Sequence, residues 1–354
     1  MKFTTFSLVQ APSTIPDPEV LRNEADLMIF ADELGFDAAW AAEHHFHHYC
    51  IDPDPLQLAT YVAARTKRIR IGTAANVVTL IHPMRIAEQA AMLDCLSGGR
   101  VDIGFAKGYG PREFSGYGAN IADGAERLKE AVDIILGAWT KENFTFKGKH
   151  FSVPYPVTLR PRLVQKPHPR AFIATGGTPD TLEFAASRGL SFYVSYQSRT
   201  HFQGLKKMYE DFARKAGKSE AEIKRLTDQI LVMQTSYVAP TEKQSYDDPK
   251  DAVAWMAKAV RSVNTPEDLD TWPEDQKKVV QARVATLAQG YENYDNYWKA
   301  FVYGDPGRAI ERIQRLKDAG FENVIIGFSF GGLPYDKVRK SMRLFAEKVM
   351  PKFK

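Results

Sequence analysis

Cysteine is scarce in this sequence, with only Cys50 and Cys95 among its 354 residues. Neither residue lies in a Cys-x-x-Cys motif or at the spacing from histidines that zinc sites use. We therefore expect neither a disulfide framework nor a metal site. A chain with so few cysteines fits the reducing environment of the cytoplasm.

Long apolar runs and blocks of one charge are also missing. No segment approaches the roughly 18 apolar residues of a membrane helix, and the amino terminus lacks the apolar core of a signal peptide. The 47 Lys and Arg residues are interspersed with 43 Asp and Glu residues, giving a net charge of +4. We expect no membrane or nucleic-acid partner, while the slightly basic balance would help to attract an anionic cofactor.

What the sequence does contain is a long alternation of segments that favour strands with segments that favour helices. Short apolar runs predict eight strands, at residues 3–10, 37–42, 69–74, 101–105, 171–175, 192–195, 229–237 and 323–328. Amphipathic segments predict the helices between them, at residues 20–34, 55–65, 83–96, 123–140, 178–188, 201–215, 306–319 and 335–349.

Eight such units predict a parallel sheet that closes into a (β/α)8 TIM barrel, an α/β fold forming one domain over residues 1–354. A doubly wound open sheet is the alternative, but the GxGxxG motif that would follow its first strand is missing. Two insertions interrupt the pattern, after the fourth and the seventh strand. Residues 143–153 predict a β-hairpin, and residues 240–303 form a long charged and aromatic insertion with helical patches at 249–263 and 273–289.

Histidines are concentrated just after the second predicted strand, in the segment Glu43-His44-His45-Phe46-His47-His48. Active sites of (β/α)8 barrels lie at the carboxyl ends of the strands. Imidazole can donate or accept a proton near neutral pH, so His44 and His45 are candidate catalytic residues. A solvated loop and a metal site are the alternatives, and the metal site is disfavoured because no further ligand lies at a suitable spacing.

Three other strand ends carry residues that suit a phosphorylated ligand with a flat ring. After the fifth strand, Gly176-Gly177-Thr178 leads into a helix whose amino terminus suits a phosphate, although a plain capped turn has the same pattern. Lys107, after the fourth strand, could neutralise phosphate charge or could simply be solvated. Ala74, Ala75 and Asn76, after the third strand, leave room for a ring to lie against the backbone, or serve packing alone.

Taken together and in this order, these segments resemble the bacterial luciferase-like flavin-dependent monooxygenase superfamily over nearly the whole chain. The motifs that carry the resemblance are Glu43-His44-His45-Phe46, His82-Pro83-Met84-Arg85, Ser97-Gly98-Gly99-Arg100, Gly104-Phe105-Ala106-Lys107-Gly108, Glu113-Phe114-Ser115-Gly116-Tyr117-Gly118, Gly331-Gly332-Leu333-Pro334 and the carboxyl-terminal Phe345-Ala346-Glu347-Lys348-Val349-Met350-Pro351.

The resemblance implies a barrel enzyme that uses reduced FMN and O2. In the two-component group of this family, a separate NAD(P)H:flavin reductase supplies the reduced FMN. The flavin reacts with O2 to give a C4a-peroxyflavin, which delivers one oxygen atom to a small organic substrate. Aromatic residues at the strand ends suggest that this substrate is hydrophobic, and a cytoplasmic homodimer is the expected assembly.

The resemblance also assigns roles to individual residues of this chain. His44 matches a histidine at the reactive edge of the flavin and His45 its supporting neighbour. The insertion at 240–303 matches a mobile lid. The residues expected to contact the flavin and its phosphate are Ala74 and Ala75, through a cis peptide that packs on the ring, with Asn76, Lys107, Gly176, Gly177, Thr178, Thr181 and the aromatic Tyr196.

Two departures from the family pattern limit what it implies. Ala106 stands where the light-emitting members have a cysteine beside the flavin, which argues against bioluminescence. Lys107 stands where arginine is common, so a bidentate phosphate contact is lost. A deazaflavin (F420)-dependent oxidoreductase and a flavin-binding protein without turnover are the alternative functions. His44-His45 and the ending 334–351 favour the FMN enzyme over the first, and His44 with the intact phosphate loop argues against the second.

Overall fold

The computed structural model of the chain describes residues 1–195, 199–287 and 293–354. The strands in these ranges are β1 (Lys2–Ser7), β2 (Ala38–Ala41), β3 (Arg70–Thr73), β4 (Asn76–Val77), β5 (Val101–Ala106), β6 (Phe144–Lys147), β7 (Ser152–Val157), β8 (Arg170–Ala174), β9 (Ser191–Val194), β10 (Leu231–Val238), β11 (Val302–Gly304) and β12 (Asn323–Gly327). The helices are α1 (Asp17–Glu33), α2 (Pro55–Ala63), α3 (Pro83–Ser97), α4 (Pro111–Gly116), α5 (Gly124–Thr140), α6 (Pro179–Arg188), α7 (Arg199–Lys215), α8 (Glu220–Thr227), α9 (Glu242–Asp247), α10 (Lys250–Asn264), α11 (Glu274–Leu287), α12 (Tyr294–Ala300), α13 (Pro306–Asp318) and α14 (Tyr335–Leu344).

Eight strands form a closed ring in which every neighbouring pair is parallel, in the order β1, β2, β3, β5, β8, β9, β10 and β12. The ring closes where Leu231 of β10 lies opposite Tyr193 of β9. Each of the eight predicted strands overlaps one of these strands. The (β/α)8 barrel is therefore confirmed, and the open doubly wound sheet is excluded.

Two apolar clusters stabilise the barrel. The outer cluster lies between the strands and the surrounding helices and includes Phe3, Ile71, Ile103 and Phe192. The inner cluster fills the barrel with side chains of alternate strand residues: Ala38, Trp40, Ala74, Ala75, Phe172, Tyr193, Leu231 and Ile325. Because large inner side chains such as Trp40 lie below Ala74 and Ala75 along the strands, the core is closed beneath an open carboxyl end.

The amino end of the barrel holds a network of buried charge. Asp102 is fully buried and accepts hydrogen bonds from Arg70, at 2.6 Å, and from Arg170, at 2.8 Å. A cavity of about 90 Å³ opens beside this network and is lined by Lys2, Trp40 and both arginines. The active sites of (β/α)8-barrel enzymes lie at the opposite end, where the strands end. We therefore assign this network a role in stability.

Both predicted insertions are present. β6 and β7 form an antiparallel hairpin, with Phe146 opposite Val153. The second insertion contains α9 to α12, and its β11 extends β10 in parallel. The helices α10 and α11 overlap the two predicted helical patches, of which residues 288–289 lie outside the described residues, whereas the short helices α4, α8, α9 and α12 were not predicted.

The structure also shows the state of the two cysteines and the character of the described helices. Cys50 is buried and Cys95 is exposed, and both are free thiols. Among the helices in the three described ranges, none is both long and apolar enough to cross a bilayer.

Candidate active site

The histidine segment lies at the carboxyl end of β2, as predicted, and it is buried rather than solvated. His44 is 6% exposed and His45 is 4% exposed. The backbone N–H of His44 donates to the carbonyl of Asp52 at 3.1 Å, which folds the loop back over the strand end. The solvated-loop alternative is therefore wrong for these two side chains, while Phe46 and His48 of the same segment are exposed.

His44 is held between a carboxylate and a phenol. Its Nδ1 lies 2.6 Å from Oε1 of Glu113, and its Nε2 lies 3.1 Å from the hydroxyl of Tyr109. The rings of Tyr49 and Tyr109 both meet the imidazole edge to face, with centroids 5.0 Å away. A histidine with one nitrogen fixed by a carboxylate has a defined tautomer, which suits acid/base chemistry at the other nitrogen.

Glu113 is the residue that sets the state of His44. Its side chain is fully buried in α4 and also accepts the N–H groups of His45, at 3.0 Å, and Gly110, at 3.1 Å. Burial alone would raise the pKa of Glu113, but the hydrogen bond and charge of His44 and the bond from the His45 N–H outweigh it and lower that pKa. Glu113 is therefore ionised at neutral pH and places a proton on Nδ1 of His44.

His45 belongs to a second set of hydrogen bonds, formed by side chains other than those that hold His44. Its Nε2 lies 3.0 Å from Glu43, and its Nδ1 lies 3.2 Å from the hydroxyl of Tyr117. The other oxygen of Glu43 accepts the N–H of Val77 at 3.0 Å. Burial raises the pKa of Glu43, although the hydrogen bond from His45 opposes this shift. His45 thus ties the histidine loop to β4, which is a positioning role.

The carboxyl end of β3 forms the backbone surface expected for a flavin ring. The Ala74–Ala75 peptide is cis, as the family resemblance implies. Both residues are buried, and Ala106 and Ala174 on the adjacent strands β5 and β8 pack against the same inner cluster. These four residues are alanines, so none of them places a long side chain on this side of the mouth.

Asn76 supports this surface from within the barrel. Its amide nitrogen donates to Oγ1 of Thr73, at 2.6 Å, and to the carbonyl of Gly104, at 3.1 Å. A Cβ at Gly104 would lie 2.4 Å from the Thr73 carbonyl oxygen and 3.4 Å from Cα of Ala74. The close approach of the two strand ends therefore requires glycine at position 104, and the Asn76 amide is used in holding them together.

The predicted phosphate residues come from the ends of β5 and β8. Thr178 precedes α6 and donates from its hydroxyl to Thr181 at 2.9 Å, without capping the first-turn N–H groups. Gly177 has φ +93, and no atom lies within 4 Å of a Cβ built on Gly176. Lys107 is exposed, and its stem passes the start of α5. Helix N–H groups without a side-chain cap beside an open glycine loop fit a phosphate, and Lys107 follows the neighbouring strand β5.

One acidic residue lies in the first turn of the same helix. Asp180 would repel a phosphate, but its carboxylate pairs with the ammonium of Lys129 at 2.6 Å. The predicted aromatic contact, Tyr196, lies outside the described residues.

The second insertion covers part of the mouth. His47 of the histidine loop lies 3.1 Å from the hydroxyl of Ser262 in α10. Asn120, which follows α4, donates to Asp275 of α11 at 3.2 Å, and Val279 of α11 packs on the cluster that contains Phe114. These contacts place the insertion over the loops that follow β2 and β5.

Sequence reasoning missed Tyr109 and Glu113 as site residues. Glu113 appeared within a family motif but received no role, because the contact with His44 joins residues 69 positions apart. A usable signal was Gly110-Pro111 three residues earlier, since proline at a helix start places Glu113 in the first turn of a helix.

Comparison with known proteins extends the family assignment over the chain. The family model described as luciferase-like monooxygenase matches residues 1–323. The oxygenase component of flavin-dependent trigonelline monooxygenase from Acinetobacter baylyi is 26% identical over 98% of this chain and 95% of its own length. An alkanal monooxygenase alpha chain from Photorhabdus luminescens is 27% identical over 99% and 96%. Protein y4vJ of Sinorhizobium fredii is 34% identical over 55% of each chain, so this chain matches about half the length of that relative.

Solved structures share the same architecture. The monooxygenase RslO1 from Streptomyces bottropensis has a TM-score of 0.84 at 26% identity, covering all of both chains. The oxygenating constituent of 3,6-diketocamphane monooxygenase from Pseudomonas putida, in complex with FMN, has a TM-score of 0.79 at 18% identity over 100% of this chain and 99% of that one. An F420-dependent secondary alcohol dehydrogenase has a TM-score of 0.75 at 18% identity over the same shares, so these two show the fold alone. With the family model matching residues 1–323, the chain belongs to the luciferase-like monooxygenase family.

Proposed function

We propose that this chain is the oxygenase component of a two-component monooxygenase. It binds reduced FMN delivered by a separate NAD(P)H:flavin reductase and uses O2 to transfer one oxygen atom to a small hydrophobic organic molecule. The observation that carries the proposal is the buried pair of Glu113 and His44, 2.6 Å apart, at a barrel mouth where alanines leave room for a ring. A buried acid/base histidine beside strand ends with small side chains suits a flavin-dependent reaction.

The residues present fit the proposed cofactor from ring to phosphate. The backbone at Ala74 and Ala75 would lie against the ring, and the phosphate would meet Gly176, Thr178 and Lys107. Thr181 and Gly177 shape that loop, and Asn76 holds the β3 end in place. FMN, when bound, supplies the electrons that activate O2. The protein orients it and keeps water away from the reacting atoms.

The chain's own residues then have distinct tasks. His44 holds or moves a proton at Nε2, because Glu113 keeps the proton on Nδ1. His45 positions the loop through Glu43. The insertion over residues 240–303 acts as a lid that excludes water. We further propose that the protein works in the cytoplasm as a homodimer.

The first test is binding and turnover with a generic flavin reductase, NADH, O2 and a panel of ketones, aldehydes, terpenes and aromatics. We expect tight binding of reduced FMN and oxygenated product from at least one class. His44→Ala should keep the fold and FMN binding, lower the product yield and release more hydrogen peroxide. His48→Ala is the matched control, because His48 lies in the same loop with an exposed side chain.

Binding to deazaflavin F420 with hydride transfer, and no affinity for FMN, would overturn the proposal and favour the F420 alternative. Tight FMN binding without turnover of any substrate would favour a flavin-binding protein instead.

The phosphate loop has a separate test. Thr178→Asp places a negative charge at the start of α6 and should weaken FMN binding by about tenfold or more. Ser219→Asp is the matched control, because Ser219 caps α8 and is remote from the β8 end. Equal FMN affinity of both variants and the wild type would remove this loop from the site.

A further inference from the structure

The hydrogen bonds around His44 raise the question of which atom meets the reacting molecule. Nδ1 of His44 is bound to Glu113, and Nε2 is bound to the hydroxyl of Tyr109. The imidazole itself is buried, whereas Tyr109 is half-buried. A molecule in the mouth therefore meets the phenol of Tyr109 before it meets either nitrogen of His44.

From this arrangement we propose that Tyr109 is a catalytic residue, the group that passes the proton between His44 and the reacting oxygen. The proposal rests on the proposed function and adds to it the identity of the terminal proton donor. Glu113, His44 and Tyr109 form one line of hydrogen bonds, with contacts of 2.6 Å and 3.1 Å.

The local backbone fixes Tyr109 in this line. Gly108 has φ +77, and a Cβ there would lie 2.6 Å from Cγ1 of Val77. On the other side, Gly110 donates its N–H to Oε2 of Glu113 at 3.1 Å. Tyr109 is thus held between two glycines, one of which is anchored to the same carboxylate that binds His44.

The direction of each hydrogen bond follows from the charge on Glu113. Because Glu113 is ionised, Nδ1 of His44 carries a proton in both states of the ring. When His44 is neutral, Nε2 has a lone pair and the Tyr109 hydroxyl donates to it. When His44 carries a second proton, Nε2–H donates to the Tyr109 oxygen, and the phenol hydrogen is free to donate to the Tyr49 hydroxyl, 3.4 Å away, or to a molecule in the mouth.

The transfer step balances without any further reactant. The O–H bond of Tyr109 breaks as its proton moves to an oxygen anion formed in the mouth during oxygen transfer. The Nε2–H bond of His44 breaks as that proton restores the Tyr109 hydroxyl. The imidazolium becomes neutral imidazole, the oxygen anion becomes a hydroxyl group, and Tyr109 is unchanged.

The hydrogen bonds of His45 supply a matched control. Tyr117 bonds to Nδ1 of His45 at 3.2 Å, so its phenol makes the same kind of contact with the other histidine. Tyr117 is 40% exposed and lies beside Phe46 on the outer rim. Tyr109→Phe and Tyr117→Phe each remove one hydroxyl from a histidine and keep the aromatic ring.

The first measurement needs no cofactor. In protein labelled with ¹⁵N-histidine, Tyr109→Phe should shift the Nε2 resonance of His44 and leave His45 unchanged, and Tyr117→Phe should do the reverse. Thermal unfolding and reduced-FMN affinity of both variants should remain close to those of the wild type.

The second measurement is the yield of oxygenated product per NADH, with its pH profile and its solvent isotope effect. Tyr109→Phe should lower the yield by about tenfold or more, raise hydrogen peroxide release and change the pH profile. Tyr117→Phe should give the same yield of oxygenated product per NADH as the wild type. Wild-type coupling in Tyr109→Phe, or an equal loss in both variants, would overturn the relay. A wild-type chain that ignores reduced FMN would instead overturn the proposed function, and the relay with it.

Discussion

Asp52 is an acidic side chain that this site buries beside its catalytic loop. The side chain is 2% exposed, and one carboxylate oxygen has no hydrogen-bond partner among the described residues. The other oxygen accepts the N–H of Asp54 at 3.2 Å. Burial raises the pKa of Asp52 to about 8, and the charge of Glu43 adds to that shift. The backbone carbonyl of Asp52 accepts the N–H of His44, so this acid lies in the loop that holds His44.

A raised pKa makes the free energy of unfolding fall as pH rises. In the unfolded chain Asp52 ionises near its ordinary value of 3.8, whereas the folded chain keeps the proton until about pH 8. Between these values the folded state binds more protons, so its stability decreases by up to about 1.4 kcal/mol per pH unit.

We therefore predict that the free energy of unfolding of Asp52→Asn increases relative to that of the wild type as pH rises from 4 to 8. Asparagine keeps the acceptor for Asp54 and cannot ionise, so its contribution to the pH slope disappears. Urea unfolding at pH 5, 6, 7 and 8 measures the slope for both proteins. Parallel curves would show that Asp52 is ionised in the folded chain.

At the scale of elements, the break between β3 and β4 is the feature that shapes the ring-binding surface. Gly72 pairs with Asp102 and Asn76 pairs with Phe105, so the three residues 73–75 lie opposite the two residues 103–104. The extra residue makes a bulge that turns Ala74 and Ala75 toward the mouth. Gly104 lies opposite the bulge, where a side chain would strike its backbone.

Two glycine substitutions separate the role of this bulge from the packing of the barrel. In Gly104→Ala the Cβ would lie 2.4 Å from the Thr73 carbonyl oxygen, and in Gly72→Ala it would lie 2.5 Å from the Asp102 carbonyl oxygen. Each should destabilise the fold by about 1–3 kcal/mol. We predict that only Gly104→Ala also weakens FMN binding, measured by fluorescence titration below the unfolding transition of both variants. Equal FMN affinities would mean that the bulge does not contact the cofactor.

At the scale of the molecule, the barrel could be predicted from the sequence because two kinds of signal agreed. The hydrophobic periodicity located the helices and strands, and proline and glycine marked helix ends. For example, α3 begins at Pro83 and ends before Gly98, which has φ +65. Proline favours the first turn of a helix, and glycine favours the left-handed position after its end. The short helices α4, α8, α9 and α12 were missed because they have only six to eight residues, too few for a helical period to stand out.

The site was only partly predictable for a different reason. His44 and Ala74–Ala75 follow strands directly, so the rule that barrel sites lie at strand ends finds them. Glu113 acts on His44 through a tertiary contact between α4, which follows β5, and the loop that follows β2. Local sequence carries the residue types of such a contact but not the distance between them.

The insertion is joined to the barrel at the loop after β12 as well as at the loops described above. Gly331, with φ +58, donates its N–H to Oε1 of Gln10 at 2.7 Å. A Cβ at Gly331 would lie 1.9 Å from the carbonyl oxygen of Ala252, in the first turn of α10. The β12 loop and α10 therefore touch through backbone alone, which any side chain at position 331 would prevent.

We predict that Gly331→Ala displaces α10 and opens the mouth. Gly35→Ala is the matched control, because Gly35 has φ +79 but no atom within 4 Å of its Cβ position. Both variants bear the cost of a left-handed alanine, about 1–2 kcal/mol, whereas only Gly331→Ala must also move Ala252. Hydrogen exchange should accelerate at the amides of α10 in Gly331→Ala alone. If the insertion excludes water from the reaction, the same variant should consume NADH with less product and more hydrogen peroxide. Unchanged hydrogen exchange in α10 would show that the loop after β12 moves instead of the helix. Faster exchange with a wild-type yield of product per NADH would show that the insertion does not exclude water.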